Sequence, residues 1–259
     1  MYPSLKSFIY FFSIACCIVC SVFVRNAFAS DTAYNIHPES YDILSTDLPP
    51  WSMPPGSGIF TEIIKGIEEH IEQNHTPIFL PWSRAQSYAT SARDKAYFIY
   101  PISRIKSREK HYKWAVKVMP SRLVFASLHK PVKSIKQAKA LNGIVVHQDS
   151  PPFHYLKSQK FDNLIFSSVG VGSVYSMLSM KRAEAWFTAE AIARYTALQN
   201  GINEKIHYSS VYSQNWLYIA ASANMADEVI HAYREAFVQL QQSGKIEAIK
   251  QRYLGVHEQ

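Results

Sequence analysis

Ala96-Tyr-Phe-Ile-Tyr-Pro-Ile-Ser-Arg-Ile-Lys-Ser-Arg108 sets an apolar, aromatic run against a basic one. Its first five residues, ending at Tyr100, read as a buried strand. Pro101 and Ser103 mark the strand's end, and Ser103 is placed to cap a helix that follows. The N–H groups of a helix start, a Ser hydroxyl and an Arg fork would converge there. Such a cluster suits an anion, and a carboxylate best of all. The plainer alternative is a basic, solvated helix start with no ligand.

Working upstream, Tyr41 to Thr46 reads as a strand and Asp47 to Gly56 as an irregular loop carrying four prolines. Ile59, Ile63, Ile64, Ile67 and Ile71 give the next stretch, to about Gln73, an apolar stripe at helical spacing. Pro77 to Leu80 is a second strand, Pro81-Trp82-Ser83 a turn and Arg84 to Arg93 a short helix. Strand–helix–strand–helix–strand is the pattern of a parallel α/β layer. The alternation restarts downstream, with strands at 121–127, 143–147, 164–166, 185–188 and 216–220. Helices are expected at 134–140, 153–158, 172–181, 190–200 and 227–253, the last broken at Ser243-Gly244. The fold class is therefore α/β, and two lobes joined by continuous strands fit better than separate beads.

The N-terminus has a positive Lys6, an apolar run from Ser7 to Val24 and a small-x-small Ala27-Phe28-Ala29. That is the pattern of a cleavable secretory signal peptide over 1–29, cut after Ala29. An uncleaved membrane anchor is the rival reading. All three cysteines, Cys16, Cys17 and Cys20, lie inside this segment. Its removal leaves no cysteine for disulfides, thiol catalysis or cysteine–zinc sites. It also takes two basic residues from a formal charge of +7, leaving a balance too weak to argue for nucleic acid.

The remaining motifs are weak. His70 and His75 are five positions apart and do not share a helix face as metal ligands would, so no metal is expected. Gly170-Val171-Gly172 lacks the rest of a dinucleotide pattern, and no phosphate loop or nucleophile elbow occurs, so no cofactor is expected. Glu68, Glu69 and Glu184 lack a clear acid/base partner and read as solvated or capping residues.

Several pieces, in order and spacing, resemble the family 3 solute-binding proteins over about residues 40 to 255. Asp47-Leu-Pro-Pro-Trp51 looks like the family's first-loop motif, and Gly58-Ile-Phe-Thr-Glu-Ile-Ile64 like the helix after it. Ser103-Arg-Ile-Lys-Ser-Arg108 resembles its ligand-gripping segment. Lys181-Arg-Ala-Glu-Ala185 is similar to a turn of its second lobe, and Leu240 to Gly255 to its closing helix. Pro81-Trp82-Ser83-Arg84-Ala85 resembles a subset of the family.

The resemblance implies a two-lobed type II periplasmic-binding-protein fold with a ligand cleft between lobes joined by two hinge strands. Lobe 1 would be 30–119 plus 214–259 and lobe 2 would be 120–213. It implies a periplasmic, non-enzymatic, monomeric protein capturing a small polar, carboxylate-bearing, amino-acid-like solute for an ABC importer. The alternatives are a ligand-sensing receptor domain coupled to a membrane sensor, or a dehydratase-like enzyme on the same fold. Position by position, Arg108 matches the carboxylate-binding Arg, Ser103 a cleft Ser, Trp51 the aromatic over the ligand, and Ser150 a donor at the second lobe's helix start. Trp82 and Arg84 follow from the subset motif.

Two departures matter. Where amino-acid binders often carry an ammonium-binding Asp, this chain has Ala189, with Glu190 one place along as a substitute rotated by about 100° on a helix start. The usual Thr of the gripping segment is Ile105. The expectation is a carboxylate grip without a secure ammonium grip.

Overall fold

The computed structural model describes residues 41–148, 150–167 and 172–255. The expected signal segment 1–29 lies outside them, as do Asp149 and most of the Gly170-Val171-Gly172 turn. In chain order the elements are β1 (Tyr41–Ser45), α1 (Ile59–His70), β2 (Ile78–Phe79), α2 (Trp82–Thr90), β3 (Ala96–Ser103), β4 (Tyr112–Ser127), α3 (Ile135–Lys139), β5 (Ile144–His147), α4 (Pro151–Ser158), β6 (Leu164–Ser167), α5 (Gly172–Ser179), β7 (Ala185–Ala189), α6 (Glu190–Gln199), β8 (His207–Tyr208), β9 (Ser213–Ser222), α7 (Asp227–Gln242) and α8 (Lys245–Leu254).

The strands form one path, β2-β1-β3-β9-β4-β7-β5-β6, with β8 added to β4. Its two ends are built alike. In β2-β1-β3 all pairs are parallel and β9 joins β3 antiparallel. In β6-β5-β7 all pairs are parallel and β4 joins β7 antiparallel. Each parallel half thus closes on one of two long antiparallel strands, and β4 and β9 pair with each other along their length, from Tyr112↔Ser222 to Leu123↔Ser213. These two strands join the halves.

Apolar stripes decide which faces are covered. On α1, Ile59, Phe60, Ile63, Ile64 and Ile67 are almost fully buried, each contributing about 1.5–3 kcal/mol. Gly66 of α1 lets Leu240 of α7 approach, since a Cβ there would meet Leu240 Cδ1 at 3.1 Å. On the other face of that half, α2 buries Ala85 and Ala89 against Leu44, Ile99, Ile102 and Ala220. The second half centres on Val145, Val174, Tyr175, Leu178 and Trp186.

Several elements depart from the sequence reading. Pro101 does not end β3, which runs on to Ser103 through a register shift between Ile99 and Ile102; a proline sits in a strand at just such an irregularity. No capped helix follows. Ile105 precedes a single 3-10 turn, Lys106–Arg108. The strand expected from Ser121 begins at Tyr112, because Lys113, Lys117 and Pro120 hide its pattern. Helix α2 starts at Trp82 rather than Arg84. Glu68, expected in solvent, is buried. The Tyr41 hydroxyl donates to its Oε1 at 2.8 Å, and the Tyr233 hydroxyl donates to the same oxygen. The His75 backbone N–H donates to Oε2 at 3.0 Å, with the ring Nδ1 2.6 Å from that atom. Glu184 accepts from the Asn142 N–H at 2.6 Å.

Candidate functional site

The register places the ends of the two parallel layers opposite each other. Ser103, the last residue of β3, pairs with Leu217, which also pairs with Met119 of β4. Ala189, the last residue of β7, pairs with Leu123 of β4. Met119 and Leu123 are four residues apart, about 13 Å along a strand. The carboxyl ends of β3 and β7 therefore face one another across a short span of β4 and β9. Carboxyl ends of parallel strands are where open α/β sheets hold ligands, and the expected residues lie there: Trp51 after β1, Trp82 and Arg84 after β2, Ser103 and Arg108 at and after β3, Ser150 after β5 and Glu190 after β7.

Arg108, Ser103 and Trp82 come together. The Arg108 Nη1 donates to the Ser103 carbonyl at 3.2 Å, and its guanidinium lies 6.0 Å from the Trp82 ring centroid. Burial pushes the Arg108 pKa down, and the neighbouring Tyr112 opposes that shift. Among the described residues no carboxylate pairs with Arg108, so a half-buried cation is left without a counter-charge. The Ser103 hydroxyl also has no partner among them. Arg104, four positions earlier, is satisfied instead: its Nε donates to Glu109 at 3.0 Å and its guanidinium covers Trp114 and Tyr218 at 5.3 and 5.8 Å.

Trp51 is buried in a loop fixed by its backbone. The Trp51 N–H donates to Leu48 O at 2.9 Å, and Ile59 and Phe60 donate to Pro50 O and Trp51 O at 2.9 and 2.8 Å. Gly58 closes this loop at φ +106°, where a Cβ would lie 2.8 Å from Ser52 Cα, Ser52 N and Trp51 O. The Trp51 Nε1 is buried and has no hydrogen-bond partner among the described residues. The same loop touches the second half through the Tyr195 hydroxyl, 3.4 Å from Met53 Sδ. Arg84 is exposed in the first turn of α2.

On the second half the expected residues are already engaged. The Ser150 hydroxyl caps α4, accepting from the Phe153 N–H at 3.3 Å and donating to the His147 carbonyl at 2.5 Å. Glu190 Oε1 accepts from Arg194 Nε at 2.8 Å and Nη2 at 2.7 Å, while Oε2 faces Arg122 Nη1 at 4.0 Å. Sequence reasoning missed Arg194 and Arg122. The four-residue spacing of Glu190 and Arg194 on one helix was the available signal for Arg194; Arg122 had none, because its strand brings it there from far away. Among the described residues no group of three His, Cys, Asp or Glu is placed to hold a metal.

No protein-family model matches the chain, and no curated protein matches it. Several solved structures match it well. Substrate binding domain 2 of Lactococcus lactis GlnP, in an open conformation, is similar at a TM-score of 0.69 with 16% identity, covering 86% of this chain and 99% of that one. The GluR0 ligand-binding core from Nostoc punctiforme, in complex with (L)-glutamate, gives 0.66 with 16% identity over 83% and 100%. A histidine kinase sensor domain with similarity to periplasmic binding proteins gives 0.64 with 17% identity over 86% and 99%. Together with the sheet order, these likenesses establish that the chain has the two-lobed type II periplasmic-binding-protein fold, its lobes joined by β4 and β9.

Proposed function

We propose that the protein is a non-enzymatic, periplasmic solute-binding protein that captures a small polar, carboxylate-bearing, amino-acid-like solute in the cleft and delivers it to an ABC permease. Lobe 1 is 30–119 plus 214–259, lobe 2 is 120–213, and 1–29 is removed on export. The observation that carries this reading is Arg108: a guanidinium partly withdrawn from water, bonded to the Ser103 carbonyl at the carboxyl end of β3 and without an acid partner among the described residues. A cation in that state gains most from an incoming carboxylate, which forms short, charge-assisted bonds. Closure of the lobes then follows from the solute's preference for the closed state. The likeness to the second substrate binding domain of a putative amino acid ABC transporter supports the class of solute and the importer. Capture by a membrane sensor uses the same cleft, and the likeness to a sensor domain supports that alternative equally at the level of fold.

The test is a thermal-shift screen of the purified protein against amino acids, 2-oxo acids, hydroxy acids, polyamines and sugars. A solute at about 100 times its dissociation constant adds about 2.7 kcal/mol. A carboxylate hit lost in Arg108→Ala supports the reading. Binding only by uncharged or cationic solutes overturns it.

A further inference from the structure

The carboxylate at the carboxyl end of β7 is the group a zwitterionic solute's ammonium would seek, and it is already spoken for. Arg194 Nε and Nη2 both point at Glu190 Oε1, at 2.8 and 2.7 Å, and Arg122 Nη1 faces Oε2 at 4.0 Å. Arg194 is itself held: its guanidinium lies 4.3 Å from the ring centroid of Tyr208, which is partly buried on β8 where that strand pairs with Ala126 of β4. Glu190 precedes Arg194 by one helical turn, the favourable order for such a pair, and it sits at the positive end of α6. Geometry and stacking thus commit the carboxylate to an ion pair within the chain. Across the span of β4, Arg108 offers a cation that has no acid partner among the described residues.

We propose that Arg194 is a positioning residue that sets specificity: by clamping Glu190 it removes the lobe-2 ammonium acceptor, so the cleft takes acids that lack an α-ammonium group, of the 2-oxo or 2-hydroxy class. This rests on the cleft reading above. Asp47, exposed on the loop after β1, is the rival acceptor, and a wild-type preference for amino acids would expose it.

The experiment is titration calorimetry on the purified protein with matched pairs: 2-oxoglutarate against L-glutamate, pyruvate against L-alanine, and 4-methyl-2-oxopentanoate against L-leucine. The wild type is expected to bind at least one 2-oxo acid about tenfold or more tightly than its amino acid, a difference of about 1.4 kcal/mol. Arg194→Met keeps the stem on Tyr208 and removes both close contacts to Glu190 Oε1, leaving only Arg122 at 4.0 Å from Oε2, so the ratio should fall toward one. Glu190→Gln leaves Arg194 and Arg122 without their acid, so 2-oxo acid affinity should hold or rise, a readout that stands even if Arg194→Met does not fold. A wild-type preference for amino acids overturns the proposal. So does an unchanged ratio in a folded Arg194→Met, or a loss of binding in Glu190→Gln. If Arg108→Ala abolishes binding while the ratio ignores Arg194, the cleft reading stands and the clamp falls. If no acid binds, or binding ignores Arg108, both fall.

Discussion

The Arg108 guanidinium lies 6.0 Å from the centroid of the Trp82 ring, joining the turn after β3 to the first residue of α2. The ring offers its negative face to a cation that has lost part of its hydration, a contact worth about 0.5–2 kcal/mol. Trp82 therefore holds the guanidinium in place without neutralising it. Arg108→Met is expected to leave the melting temperature of the ligand-free protein unchanged or raised, because it removes an uncompensated, partly desolvated charge. Carboxylate affinity should fall by about 2–5 kcal/mol, the cost of leaving one partner of a desolvated pair alone. Paired melting curves with and without solute measure both.

Gly58 gives a sharper structural test. Its φ of +106°, and the 2.8 Å that would separate a Cβ from Ser52 and Trp51, leave no room for a side chain. Gly58→Ala should destabilise by about 1–3 kcal/mol, the range for a strained backbone position. It should also shift the emission of Trp51, whose ring depends on that loop.

The buried Glu68 cluster ties α1 to β1 and α7. Glu68→Ala strands the hydroxyls of Tyr41 and Tyr233 and the His75 N–H. Each buried group left without a partner costs about 1–3 kcal/mol, so urea unfolding should show a loss of about 3 kcal/mol or more. Tyr41→Phe removes one donor and should cost about 1 kcal/mol.

Alkaline pH is the fourth test. Burial pushes the Tyr100 and Tyr208 hydroxyls from 10.0 up to about 12, with the Thr61 and Arg194 contacts pulling the other way. Burial pushes Tyr41, Tyr175 and Tyr233 up as well. The folded state thus keeps protons that the unfolded chain loses, so stability is full below pH 10 and falls as pH rises toward 12. Denaturation monitored through tyrosinate absorbance should show this fall, and Tyr100→Phe should make it shallower. A flat profile across that window would contradict the buried placement of these rings.

The parallel layers are legible in the sequence because their strands are short apolar runs between amphipathic helices. β1, the start of α1 and the break at Gly244 stand where the sequence puts them. The first half of β4 is not legible. Lys113 leaves the strand for Asp227, Lys117 lies over Trp216, and Pro120 sits in mid-strand opposite Trp216. Those roles exist only once β9 and α7 are in place. Glu68 is opaque for the same reason, since two of its partners come from β1 and α7. At the candidate site, Arg108 and Trp82 can be named from the sequence, but their contact cannot. Glu190 can be named too, yet its engagement by Arg194 shows only as a four-residue spacing on one helix.

The pairing of Ser103 with Leu217 and of Tyr112 with Ser222 has a consequence for how the chain is made. The inner edge of β3 stays open on the ribosome until everything from β4 to β8 has emerged, while β5, β6 and β7 can already close on the far half of β4. The middle of the protein can mature first, and its opening segment must wait, unpaired on one side, for the last strand to arrive. Helpers that shield exposed strand edges during synthesis would find their target at Ala96–Ser103 and at the near half of β4, the two edges that wait for β9.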